Sequence, residues 1–69
     1  MRAPIARPIT GAEIRALRER ARLSQAMFAQ VLNVTVGYVS QLERGAKQPT
    51  GPALVLLDVI RRKGIEAIL

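Results

Sequence analysis

The segment from Gln25 to Leu42 places the strongest constraint on the fold, because its residue types follow the spacing of two helices packed across a tight turn. Ala29 is small where the first helix has to approach the second closely, and Asn33 occupies a turn position that needs a positive φ. Asn tolerates that conformation better than most residues other than Gly. The apolar side chains expected to face one shared core are Phe28, Leu32, Val39 and Leu42. The segment is therefore predicted to fold as a helix-turn-helix.

Capping signals place a first helix before this segment. Thr10 followed by Glu13 has the pattern of a capping box, and Ile9 with Ile14 stands at the spacing of a hydrophobic staple. Helix 1 is therefore predicted from about Gly11 to Ala21. The preceding residues, 1–8, carry two prolines and two arginines without periodicity, so we expect a flexible arm there and one folded domain over residues 9–69.

Further capping residues set the bounds of the next two helices. Ser24 is the expected N-cap of helix 2, predicted from Gln25 to Leu32. Thr35 is the expected N-cap of helix 3, which should extend to about Arg44 before Gly45 supplies a left-handed residue that ends it.

A fourth helix is predicted between Thr50 as its N-cap and Gly64 as its stop, with Pro52 tolerated in the first turn. Its residues are apolar over most of the circumference, so we expect it to be the central core helix, with the possibility of a face left for a partner. Ile65 to Leu69 is predicted as a short fifth helix. The sequence carries no internal repeat and no strand signal.

Charge and composition limit the classes of function. Eleven Lys and Arg against five acids give a net charge of +6, which favours a polyanionic partner such as DNA. There is no His or Cys, no carboxylate pair and no glycine-rich phosphate loop, so we expect no enzyme, no metal site and no cofactor. The apolar runs are too short to span a bilayer, and the lack of Cys is compatible with a reducing cytoplasm.

A family resemblance covers the core of the chain. The stretch LSQAMFAQVLNVTVGYVSQLERGAKQP, from Leu23 to Pro49, resembles the Xre and Cro/C1 type helix-turn-helix repressors of bacteria and phages, whose LSQ, FA, VS and ERG-then-P elements occur here in order. The resemblance implies an all-α, compact, lambda-repressor-like DNA-binding domain of four to five helices. It also implies a sequence-specific transcriptional repressor, located in the bacterial cytoplasm with the nucleoid.

The end of the chain looks like a narrower branch, the HigA-like antitoxins. The features that carry this likeness are GPAL at residues 51–54 and RKGIEAIL at residues 62–69. They imply an antitoxin that autoregulates the promoter of a type II toxin–antitoxin operon, with a ribonuclease-type toxin as its second partner. The alternative is a free-standing or phage-type regulator without a toxin, because related regulators share much of this ending.

The resemblance also implies which residues read DNA bases. They lie at the start of helix 3 and one turn later: Thr35, Val36, Gly37, Tyr38 and Gln41. The amide of Gln41 is suited to adenine, and Thr35 to a phosphate or a base. Val36 and Gly37 cannot make the bidentate hydrogen bonds of the glutamines found in some phage repressors. Val36 is instead suited to a thymine methyl, and Gly37 either lets the helix approach closely or lets Tyr38 swing toward the backbone.

Gln25, Arg44 and Lys47 are the residues that the resemblance implies for phosphate contacts, with simple solvation as the alternative for each. Glu43 is expected to pair with an arginine of helix 1. Two of those arginines, at positions 18 and 22, either line the DNA edge or belong to a solvated face, whereas Arg15 is expected to pair with Glu19. The basic residues at positions 61–63 are expected to complement the dipole of helix 4.

The apolar residues at the end of the chain bear on oligomeric state. Small repressors of this class bind palindromic operators as dimers, with half-sites roughly 34 Å apart. Ile65, Ile68 and Leu69 are therefore predicted to form a homodimer seam. The alternative is that these side chains close the core of the monomer.

Overall fold

A computed structural model describes residues 8–69, so residues 1–7 of the predicted arm lie outside the described part. Within residues 8–69 the chain forms four α-helices and no strand, which confirms the all-α prediction. The helices are α1 (Gly11–Arg20), α2 (Gln25–Leu32), α3 (Val36–Glu43) and α4 (Gly51–Lys63), followed by a 3-10 turn at Ile65–Ala67. None of these helices is long and apolar enough to cross a membrane.

Helix bounds agree with the sequence prediction to within one residue for α1, α2 and α3. Ala21 and Arg44, predicted as the last residues of their helices, are instead the C-caps of α1 and α3. The prediction of a fifth helix from Ile65 to Leu69 is wrong. Ile65–Ala67 forms only a single 3-10 turn, and Leu69 lies beyond it. A segment this short makes too few α-helical hydrogen bonds to offset the cost of helix nucleation.

Hydroxyl caps begin the first three helices as predicted. Their side-chain oxygens accept backbone N–H bonds at 3.1 Å, Thr10 from Glu13, Ser24 from Met27 and Thr35 from Tyr38. The capping box is complete, since the carboxylate of Glu13 accepts the N–H of Thr10 at 3.0 Å. Thr50 is the N-cap of α4 in position, but its hydroxyl makes no capping bond. The following residue, Gly51, has a φ of +57°, so the backbone does not enter α4 with the geometry that aligns a capping hydroxyl.

Helices α1, α2 and α3 end at the same kind of corner. Each is followed by a residue with positive φ, namely Arg22 at 60°, Asn33 at 59° and Gly45 at 76°. In each case the next residue donates its N–H back into the helix: Leu23 to Arg18 at 3.2 Å, Val34 to Ala29 at 2.9 Å and Ala46 to Gln41 at 2.9 Å. The sequence predicted Asn33 and Gly45 but not Arg22, because an arginine in this conformation costs about 1–2 kcal/mol and carries no local signal for it.

The core lies between the helices and is built largely by α2 and α3. Its largest fully buried side chains are Phe28, Ile14, Leu32, Leu42, Leu57 and Val39. Ile9 is also buried in this cluster, as the predicted staple with Ile14 requires. Helix α4 contacts α1 and α2 through one face, and Val55 on it is 62% exposed. It therefore covers the core from one side and does not lie at its centre as the sequence suggested.

Gly11 permits a close approach of two helices that no local pattern in the sequence marks. A Cβ at this position would lie 2.5 Å from the carbonyl oxygen of Glu43 and 2.6 Å from that of Leu42. Both oxygens belong to the end of α3, so the absence of a side chain at Gly11 allows the start of α1 to pack directly on α3. By contrast, a Cβ at Gly37 would meet only the hydroxyl of Thr35, at 4.0 Å.

We expect Gly11→Ala to lower the free energy of unfolding by about 1–3 kcal/mol, because the backbone of α1 or α3 has to move to accept the methyl group. The measurement is urea unfolding followed by circular dichroism. Gly37→Ala is the matched control and should leave stability unchanged or raise it by up to about 1 kcal/mol. Equal stability of wild type and Gly11→Ala would show that the contact between α1 and α3 is not tight.

Candidate nucleic-acid interface

The first turn of α3 faces solvent, while the opposite side of the same helix is anchored in the core. Thr35, Val36 and Gly37 are exposed, and Val36 keeps 49% of its surface. Val39 and Leu42 are buried at 0% and 1% exposure. The predicted base-reading residues therefore share the first two turns of one helix, with Tyr38 and Gln41 half-buried beside the exposed tip.

Arg44 and Lys47 lie immediately beyond this helix, and both are exposed. The loop that carries Lys47 folds back on α3, because the carbonyl of Gln41 accepts the N–H of Ala46 at 2.9 Å and that of Lys47 at 3.3 Å. Neither cationic side chain forms an ion pair with a residue in the described part of the chain. Two unneutralised cations thus stand next to the exposed end of the helix-turn-helix.

A network of three side chains connects α1, α2 and α3. Arg18 of α1 donates from Nε to Oε2 of Glu43 at 2.6 Å and from Nη2 to Oε1 at 3.1 Å. Gln25 of α2 donates its amide Nε2 to Oε1 of the same carboxylate at 3.0 Å. The side chains of Arg18 and Glu43 are only 14% and 5% exposed. The predicted pairing of Glu43 with an arginine of helix 1 is confirmed, and Arg18 belongs neither to a free DNA edge nor to a solvated face.

Gln25 is held in place by this network, and no local pattern in the sequence predicts its bond to Glu43. An amide nitrogen carries two hydrogens, so one remains after the bond to Glu43, and the amide oxygen is an acceptor. Gln25 is also the first residue of α2, where backbone N–H groups and the helix dipole favour an anion. Its phosphate contact stays a prediction, now with a fixed orientation for the side chain.

The same contacts shift the pKa values of both charged partners. Burial of the Glu43 carboxylate opposes its ionisation, but the hydrogen bonds from Arg18 and Gln25, together with the positive charges of Arg18 and Arg15, outweigh burial and lower its pKa. The hydrogen bond to Glu43 raises the pKa of Arg18 against the opposing effect of burial. Both side chains are therefore charged near neutral pH.

Other arginines pair along their own helices. Arg15 contacts Glu19 at 3.2 Å as predicted, but both side chains are more than half exposed, so the pair adds little stability. Arg61 and Arg62 contact Asp58 at 2.8 and 3.0 Å. The hydrogen bonds from these two arginines lower the pKa of Asp58, and the bond from Arg61 has the larger effect. Arg61 and Arg62, predicted only to complement the helix dipole, thus also pair with Asp58, whose spacing of three and four residues from them is a sequence signal for such pairs.

The predicted dimer residues occupy two different environments. Ile65 and Ile68 are half-buried and pack against the core. This is the arrangement expected under the alternative, in which these side chains close the core of the monomer. Leu69 is 78% exposed. A seam formed by these residues would therefore use Leu69 most directly, together with the uncovered parts of the two isoleucines.

We expect acid to weaken the fold through Glu43. Its folded-state pKa is lowered, so its contribution to stability is present above the unfolded-state pKa of about 4.3 and is lost as the pH falls through the folded-state value. Glu43→Gln should lower the free energy of unfolding by about 1.5–3 kcal/mol at pH 7. The difference between wild type and variant should shrink below about pH 4.

Urea unfolding between pH 7 and pH 3 measures this difference. Glu66→Gln is the matched control, because Glu66 is exposed and should change stability little at any of these pH values. A difference for Glu43→Gln that stays constant down to pH 3 would show that the ionised carboxylate is not what stabilises the three-helix network.

The family comparison agrees with this geometry. Residues 10–61 match the family model of the helix-turn-helix domain. A stretch of 51 residues, 74% of this chain, is 39% identical to the HTH-type transcriptional regulator PrpR of Mycobacterium tuberculosis. The match spans only 10% of that regulator's length. From the family match over residues 10–61, the chain belongs to the helix-turn-helix domain family.

Proposed function

We propose that this chain is a sequence-specific, DNA-binding transcription regulator that places α3 in the major groove. The observation that carries the proposal is the two-sided character of α3. Val39 and Leu42 fix the helix in the core, and Thr35, Val36 and Gly37 at its start are exposed. A recognition helix needs this arrangement, because its first turns must reach base edges while the domain holds it rigidly. The name of PrpR, a transcriptional regulator, supports the same function.

Phosphate contacts are proposed on both sides of the recognition helix. Gln25 offers an oriented amide at the start of α2, and Arg44 and Lys47 offer exposed cations after α3. Such contacts fix register on the duplex and supply affinity without reading sequence. Base reading is assigned to Gln41, whose amide suits adenine, with Thr35 and Tyr38 beside it.

Binding of DNA selected for affinity tests this division of roles. We expect Gln41→Ala to relax preference at one base pair by about 1–3 kcal/mol. Lys47→Ala should weaken all sequences similarly and reduce the slope of log affinity against log salt by about 1. Fluorescence anisotropy with the selected duplex and a scrambled duplex, at several salt concentrations, measures both effects. Identical behaviour of the two variants would contradict the proposed recognition face.

A homodimer on a palindromic operator is proposed from the apolar end of the chain. Leu69 is largely exposed, and the neighbouring Ile65 and Ile68 are only half-covered by the core. Two copies joined there would present two recognition helices to two half-sites, and the symmetry of the operator would match that of the protein.

Leu69→Asp should therefore lower the dimer fraction and weaken operator binding without unfolding the domain, since Leu69 is 78% exposed. Light scattering and analytical ultracentrifugation measure the mass. Val55→Asp is the control, because Val55 is an exposed apolar residue of α4, away from the chain end. An unchanged dimer in Leu69→Asp would contradict the seam, and loss of the dimer only in Val55→Asp would move it to α4.

The narrower proposal is that the regulator is an antitoxin that represses its own operon. Its support is the likeness of residues 51–54 and 62–69 to HigA-like antitoxins. The alternative is a regulator without a toxin, and the name of PrpR, a transcriptional regulator, is compatible with it. Co-expression with the product of the adjacent gene separates the two. A stable complex that suppresses a ribonuclease activity would support the antitoxin role, and independent purification of both proteins would support the alternative.

A further inference from the structure

Gly37 is a glycine that the fold of the domain does not explain. It is the second residue of α3 and does not have a positive φ. A Cβ there would meet only the Thr35 hydroxyl at 4.0 Å, whereas one at Gly11 would strike the backbone of α3 at 2.5 Å. Glycine weakens a helix relative to alanine, and no contact in the described part of the domain requires a glycine at this open, helical position.

The side chains at positions 36 and 37, at the start of α3, provide no hydrogen-bonding group. Val36 precedes it with 49% of its surface exposed. The hydroxyl oxygen of Thr35 already accepts the N–H of Tyr38 at 3.1 Å. The side chains at positions 36 and 37 therefore offer two valine methyl groups and a bare Cα, with no side-chain donor or acceptor between them.

One base-pair feature of the major groove fits such a surface. Thymine alone of the four DNA bases carries a methyl group there, and apolar side chains read it by contact. A helix with a bare Cα is able to approach a base edge more closely than one with a side chain at the same position.

We propose that Val36 and Gly37 together read the 5-methyl group of a thymine in each half-site, with Gly37 setting the close approach of the α3 backbone and Val36 packing on the methyl. The inference deepens the proposed function and rests on it. It assigns a specificity-determining role to a residue without a side chain. The role of Gly37 is thus distinct from that of Gln41, which reads by hydrogen bonding.

The test starts from a duplex selected from a random-sequence library, so the operator sequence does not have to be identified beforehand. Each thymine is then replaced by deoxyuridine, which keeps base pairing and removes only the 5-methyl group. Wild-type protein should bind about fourfold more weakly when one particular thymine of a half-site is replaced, the value expected for one buried methyl group. Val36→Ala should lose most of that difference.

The Gly37→Ala variant separates an effect on the approach of α3 to the bases from an effect on the stability of the domain. We expect its melting temperature to stay unchanged or to rise by up to about 4–8 °C, because alanine favours the helix. Its affinity for the selected duplex should fall about tenfold, because the added methyl group holds α3 away from the bases. Gln41→Ala is the control variant and should keep the sensitivity to deoxyuridine, since it reads a different base.

The outcomes separate the inference from the function on which it rests. A selected consensus whose binding is insensitive to every deoxyuridine, or bound equally well by Gly37→Ala, would overturn the thymine contact and leave sequence-specific binding intact. A selection that yields no consensus would overturn the proposed function, and the thymine contact with it. Sensitivity of the wild-type protein to deoxyuridine at one thymine, with that sensitivity lost in Val36→Ala, would support both the thymine contact and the proposed function.

Discussion

The carboxylate of Glu43 is the group on which the arrangement of the first three helices depends. It lies at the end of α3, accepts two hydrogen bonds from Arg18 of α1 and accepts one from Gln25 of α2. The close packing permitted by Gly11 brings α1 against the same end of α3. A change in the orientation of α3 would separate Glu43 from Arg18 and leave a buried charge without its partner, which is costly. The ion pair therefore constrains the orientation of α3 in addition to hydrophobic packing.

Local signals in the sequence predicted most of the secondary structure. Ser24, Thr35 and Asn33 act within a few residues of themselves, so their spacing was enough to place the bounds of α2 and the start of α3. Gly11 and the partner of Gln25 depend on residues far along the chain, and no local pattern marks them. The end of the chain was predicted less well, because five residues do not decide between an α-helix and a single turn.

Features of the candidate site divide in the same way, into those set by local sequence patterns and those set by contacts between distant residues. Exposure of Thr35 to Gly37 could be predicted, because the apolar spacing of α3 leaves these residues on its outer side. The emptiness around Gly37 could not, since it depends on which neighbours the fold brings near. Which cations remain unpaired near the site also depends on the fold. Within residues 8–69, Glu19, Glu43 and Asp58 pair with arginines, so the net charge alone did not show that Arg44 and Lys47 remain unneutralised beside α3.

The corner between α1 and α2 is fastened twice by one residue. The carbonyl of Arg18 accepts the N–H of Leu23 at 3.2 Å, and the guanidinium of Arg18 donates to the carbonyl of Leu23 at 2.9 Å. The same guanidinium also binds Glu43 of α3, so moving the corner relative to α3 would break these hydrogen bonds. If α3 engages a duplex as proposed, little conformational entropy is left to lose on binding, and binding energy goes into contacts without first having to order the domain.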